Sequence, residues 1–156
     1  MDKKLIMDQA TQLRQACHKV LADNALLPSI NKGGGLLTHC NEAVYRIAGM
    51  VLKREFFWKP PGRIMLANEI CDWLAKNAEK QDTDVAFERA KVGKLVLAAQ
   101  KGIPHGHVCA LYPSPHKVFS GHWSKGVPIC ANVGKDNGIK GVNFAFSEEP
   151  GYFEVA

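Results

Sequence analysis

A chain of 156 residues suits one hydrophobic core, because a second would leave each half marginal, so a single domain over 1–156 is expected. With 46% hydrophobic and 22% charged residues, and no run near the ~20 apolar residues of a membrane span, the chain reads as a soluble globular protein without a membrane-spanning segment. The net charge of +5 is confined to residues 1–65, where ten Lys and Arg face five Asp and Glu; a basic face there could approach an anionic polymer such as peptidoglycan, teichoic acid or nucleic acid, but a mildly basic surface is the favoured reading and no nucleic-acid partner is expected.

The first residues, Met1 to Gln9, place charges on both sides of a three-residue apolar run, short of the apolar core of a secretory signal, so synthesis in the cytoplasm is expected. Over 3–23, Leu5, Ile6, Leu13, Cys17, Val20 and Leu21 recur mostly at three- and four-residue spacings and predict a first helix. Pro28, Ser29, Asn31 and the triple glycine 33–35 predict a flexible loop. No Lys-Ser or Lys-Thr follows the glycines, which argues against a phosphate-binding loop. Cys40, Val44, Ile47, Ala48 and Val51 then fall on one face of a second helix, 40–52, with Thr38 placed to cap it and the Cys40 thiol in its first turn.

After the break at Lys59-Pro60-Pro61-Gly62, a third helix carries Leu66, Ile70, Trp73, Leu74 and Asn77, and a fourth spans Thr83 to Lys91. Beyond Gly93 the pattern changes to short strands at 95–99, 106–112, 127–133, 142–146 and 152–155. Helices first and strands after, without βαβ alternation, predict an α+β fold in which N-terminal helices pack on a C-terminal antiparallel sheet.

Five cysteines without a C-x-x-C pair do not suggest a disulfide framework. Cys40 stands apart because unpaired amides at a helix start stabilise a thiolate and can bind the oxyanion of a tetrahedral intermediate. His107, at the start of a strand, is the candidate base, on one strand face with Cys109 and Leu111 while Val108 and Ala110 take the other. Asn132, on the next strand, is the candidate acceptor that fixes the imidazole tautomer, with Asn137 and Asn143 as alternatives. His39 and His105 are alternative bases.

The blocks Thr38-His39-Cys40-Asn41-Glu42-Ala43-Val44, Gly106-His107-Val108 and Pro128-Ile129-Cys130-Ala131-Asn132-Val133-Gly134, in this order, resemble the catalytic blocks of the NlpC-type and CHAP cell-wall peptidases, which are papain-like. The resemblance covers about residues 36–146. It implies a papain-like fold and a cysteine peptidase or amidase with Cys40, His107 and Asn132 as catalytic triad, no cofactor and no metal. The implied substrate is a peptide or peptidoglycan amide bond, reached at the cell wall after delivery or lysis. Trp123, Tyr112, His39 and Asn41 are candidate substrate-binding residues, and Phe144 and Tyr152 are further aromatics that could line a groove.

Two other readings stand beside this one. His105, His107 and Cys109 on one strand face, with His39, Cys40, His116 and His122 elsewhere, could hold Zn²⁺ for a hydrolase, although no H-E-x-x-H is present. The same fold could also serve as a non-catalytic module that binds the wall or a protein, or as an acyltransferase using the same thiol.

Overall fold

The computed structural model describes residues 8–156, so Leu5 and Ile6 of the expected first helix lie outside the described residues. Helix α1 (Gln9–Leu21) starts at Asp8, whose carboxylate accepts from the Thr11 amide at 2.7 Å, and it buries Leu13, Ala16, Cys17 and Val20. A 3-10 turn, Asn24–Leu26, leads to a hairpin of β1 (Ser29–Ile30) and β2 (Leu36–Leu37). The triple glycine forms its tip. It is fastened rather than loose: Asn31 Oδ1 accepts from the amides of Gly33 and Gly35 at 3.0 and 2.9 Å.

Helix α2 (Cys40–Leu52) buries Cys40, Ala43, Val44, Ile47 and Ala48 and stops at Lys53, which takes the left-handed conformation. Full burial of a side chain such as Ile47 is worth about 1.5–3 kcal/mol. The capping role expected for Thr38 is corrected: the N-cap is His39, and no side chain caps the helix. After the hairpin of β3 (Trp58–Lys59) and β4 (Arg63–Ile64) comes α3 (Ala67–Asn77), whose Glu69 carboxylate accepts from the Leu66 amide at 2.9 Å. Then follow β5 (Glu79–Gln81) and α4 (Thr83–Lys91), the latter capped by Asp82. Gly93 sits at φ +95°, where an added Cβ would lie 2.3 Å from the Ala10 nitrogen, so the turn after α4 passes hard against α1.

The remaining elements are β6 (Leu95–Gln100), β7 (His107–Leu111), the hairpin β8 (Val118–Ser120) and β9 (Lys125–Val127), β10 (Ile129–Asn132), β11 (Gly138–Gly141), the single turn α5 (Val142–Ala145) and β12 (Gly151–Val155). Six strands form one sheet in the order β11-β10-β7-β6-β12-β5, every neighbouring pair antiparallel. The protein is therefore α+β, as its pattern of elements predicts.

The period-2 alternation of the strands divides the core in two. Leu95, Leu97, Ala99, Val108, Ala110 and Ala131 pack with the apolar faces of α1, α2 and α3. Val96, Ala98, Cys109, Leu111 and Cys130 pack on the opposite side with Ala86 and Ala90 of α4, Val127, Val142 and Phe146. Helices thus cover both faces, not one.

Two further expectations are corrected. Residues 142–146 form a helical turn rather than a strand: Val142 and Phe146, four residues apart, are both buried and joined by an amide-to-carbonyl bond of 3.0 Å. The expected absence of βαβ alternation also fails locally, because β5 and β6 both run antiparallel to β12 and are linked through α4, a split β-α-β unit. β5 carries no strand signal in the sequence, because Glu79-Lys80-Gln81 is a polar edge strand with no apolar alternation. Among the described residues no helix is long and apolar enough to cross a membrane.

Candidate active site

Because β7 and β10 are antiparallel with Ala110 opposite Ala131, the start of one lies beside the end of the other. This brings His107 and Asn132 together: His107 Nε2 and Asn132 Oδ1 are 2.6 Å apart. The amide of Asn132 is oriented by its other end, since Nδ2 donates to the Asp136 carbonyl at 2.8 Å. Oδ1 is therefore the atom facing the ring, so Nε2 carries the proton and the lone pair of the neutral imidazole resides on Nδ1. Asn132 is 5% exposed, which holds it in this pose.

The ring is bracketed on two sides. Phe146 lies 4.9 Å away between centroids, and at Gly134 an added Cβ would approach Cε1 to 3.1 Å, so a glycine there lets the chain pass close to the ring. Asn137 and Asn143 do not hold the His107 ring. Asn137 accepts from the Gly134 amide at 2.9 Å and donates to the Leu26 carbonyl at 2.9 Å, pinning the loop after β10 to the 3-10 turn. Asn143 Oδ1 is buried without a hydrogen-bond partner.

Cys40 opens α2 and is 6% exposed. The backbone amides of Val108, Asn41 and Cys40 itself act on its sulfur in the direction that favours the thiolate, two of them from the uncapped helix start and one from β7 immediately after His107. The helix thus meets β7 through the face of Val108 and Ala110 and through the Val108 amide, while Cys109 and Leu111 turn to the opposite layer. Among the described residues no hydrogen bond joins the Cys40 sulfur to the His107 ring.

The electrostatics correct one expectation. Burial raises the Cys40 thiol above its ordinary value, and the three amides offset this only in part. His107 is pushed below its ordinary value, again mainly by burial, against the opposing effect of the Asn132 bond. The pair therefore rests as thiol and neutral imidazole near neutral pH, not as a thiolate activated by the helix start. Burial takes the Cys17 thiol to about 12 and the Cys71 thiol to about 11, the latter against partial relief from Lys101 and its own amide.

His107 and Asn132 open on a cleft of about 850 Å³ whose walls include Leu36, Thr38, His105, Lys135, Phe144 and Glu148. Cys40 does not line it, whereas Thr38, two residues earlier, does. None of the four candidate substrate-binding residues lines it either. Tyr112 is bonded through its hydroxyl to His18 Nε2 at 2.8 Å, at the far end of β7 from His107. Trp123 packs on the core layer opposite α1–α3, in the turn between β8 and β9. Asn41 donates to the Met65 carbonyl at 3.0 Å, and His39 serves as the N-cap of α2. Tyr152 is buried, but Phe144, 77% exposed, stands in the wall.

His105 lies in the loop before β7, not on the strand face with His107 and Cys109. Among the described residues no three His, Cys, Asp or Glu side chains come together in a way that could hold a metal ion. Neither the comparison with protein-family models nor that with curated proteins finds a match for this chain.

Proposed function

We propose that the chain is a papain-like cysteine hydrolase of amide bonds, with peptidoglycan or its stem peptides as substrate, acting at the cell wall after delivery or lysis. The observation that supports this most is the Asn132-held, neutral His107 with Nδ1 left free, at the start of the strand whose Val108 amide faces the thiol at the uncapped end of α2. His107 Nδ1 takes the Cys40 proton as sulfur attacks the substrate carbonyl carbon. Because the resting pair is neutral, proton transfer accompanies attack rather than preceding it.

The oxyanion of the tetrahedral intermediate is met by the Cys40 amide. As the C–N bond breaks, the imidazolium returns the proton to the leaving amine, and a thioester remains. Water, deprotonated by the same Nδ1, attacks the thioester; the acid leaves and the thiol is restored. Asn132 stabilises the imidazolium in both halves through its carbonyl oxygen.

Two measurements test this. Iodoacetamide below neutral pH, followed by mass spectrometry of the modified peptides, should label Cys40 faster than Cys17 or Cys71; equal rates would sink the nucleophile assignment. Purified peptidoglycan should release free amines with the wild-type chain and none with Cys40→Ala.

A further inference from the structure

We infer that Asn68, in the first turn of α3, is a positioning residue that sets His107 against Cys40. This rests on the nucleophile and base roles proposed above. Asn68 uses both polar atoms of its amide on a single residue of the β6–β7 loop: Oδ1 accepts from the Gly102 amide at 3.1 Å and Nδ2 donates to the Gly102 carbonyl at 2.9 Å. The loop has no slack around that clamp. At Gly106, the residue before His107, an added Cβ would lie 2.3 Å from Asn68 Oδ1 and 2.6 Å from the Gln100 carbonyl; at Gly102 it would lie 2.5 Å from the His105 carbonyl.

Between its ends, which the ladder pairs at Gln100 and His107, little else holds this loop. Lys101, Ile103, Pro104 and His105 are exposed, and the Lys101–Asp72 ion pair that also ties it to α3 is solvent-facing on both sides, a kind of pair worth little. The nucleophile's helix is referenced to the same place, since Asn41, next to Cys40, donates to the Met65 carbonyl just before α3. Two asparagines therefore tie the start of the nucleophile's helix and the loop that leads into His107 to one short stretch, 65–68, in addition to the Gln100–His107 pairing and the Val108 amide at the sulfur. A misplacement of about 1 Å between reacting groups costs on the order of 100-fold in rate.

The test is acylation of the full chain by p-nitrophenyl acetate, read as the nitrophenolate burst, near neutral pH and again at alkaline pH where hydroxide ionises the thiol without help. Asn68→Ala should slow the burst about 10- to 100-fold near neutrality and leave the alkaline rate unchanged. In a His107→Ala background it should have no further effect. Asn68→Asp, which keeps the acceptor for the Gly102 amide but loses the donor, should fall between, and it carries the test if Asn68→Ala does not fold. Equal slowing at both pH values, or a further loss in the His107→Ala background, would overturn the positioning role. A wild-type burst no faster than that of His107→Ala would instead overturn the base assignment on which the inference stands.

Discussion

Replacing Asn132 with alanine removes two hydrogen bonds with unequal consequences. The Asp136 carbonyl keeps a donor, since Lys140 Nζ reaches it at 3.0 Å, and it lies in an exposed turn. The His107 Nε2–H has no such second partner and is left in a half-buried setting, an orphaned donor that costs about 1–3 kcal/mol of stability. For catalysis, losing the acceptor frees the ring to turn and to adopt the tautomer whose lone pair faces away from the thiol. The corresponding loss for a charged acceptor is about 10⁴-fold in kcat. A neutral amide holds less strongly, so about 100-fold is expected here, equivalent to ~2.7 kcal/mol of barrier.

The pH profile gives an independent check. The Asn132 bond raises the His107 pKa against the effect of burial, so Asn132→Ala lowers it further and moves the acid limb of kcat/KM to lower pH. Asn132→Asp puts a carboxylate beside Nε2, moves that limb to higher pH and restores most of the rate. The assay is amine release from peptidoglycan across pH, alongside urea denaturation. Should a folded Asn132→Ala chain turn over at the wild-type rate with its acid limb unmoved, Asn132 is not what orients the base.

Two predictions concern stability. Because burial holds His107 below its unfolded value, the unfolded chain binds more protons; this contribution is complete above the unfolded pKa of ~6.5 and is lost as pH falls toward the folded value. Urea midpoints should therefore fall less steeply on acidification in His107→Gln than in the wild type. Arg89 forms a two-bond fork with Glu154 at 2.6 and 2.9 Å, and the Glu154 side chain is only 17% exposed. Arg89→Ala leaves that carboxylate with Gln81 as its remaining partner and should cost about 1–3 kcal/mol in urea unfolding.

Much of the scaffold was legible because it follows periodicity. The stripe on 40–52, the helix from Thr83 to Lys91 and the run Leu95-Val96-Leu97-Ala98-Ala99 all form as their spacing demands, since each buries a continuous face. The juxtaposition of His107 and Asn132 was legible too, through strand order and the polar residue at a strand end. Residues 142–146 misled because Val142, Phe144 and Phe146 alternate like a strand, whereas tertiary packing buries the i, i+4 pair and turns Phe144 outward into the cleft wall. The places of Tyr112, just past β7, and Trp123, in the turn between β8 and β9, were not legible, because an aromatic residue beside a strand gives no sign of which end or face of the sheet it serves.

Nor does a sequence weigh desolvation against helix-start amides. At Cys40 that balance reversed the expected direction of the thiol shift. Asn68 had no motif to mark it, and the block around Cys40 marked Asn41 for substrate rather than for the Met65 carbonyl; what both do is visible only once α3, the β6–β7 loop and α2 are set together.

The placement of β12 bears on how the molecule is made. It is not an edge strand: residues 151–155 sit between β5 and β6, so neither can complete its ladder until this segment has left the ribosome. A nascent chain halted at residue 150 therefore has β6 open along one side, and the parts of both core clusters that Tyr152, Phe153 and Val155 fill stand empty. Since β7 and its His107 are hydrogen-bonded to β6, a chain still under synthesis holds His107 on an incomplete sheet. Translation itself thus acts as a timer on when the thiol and imidazole acquire a rigid mount.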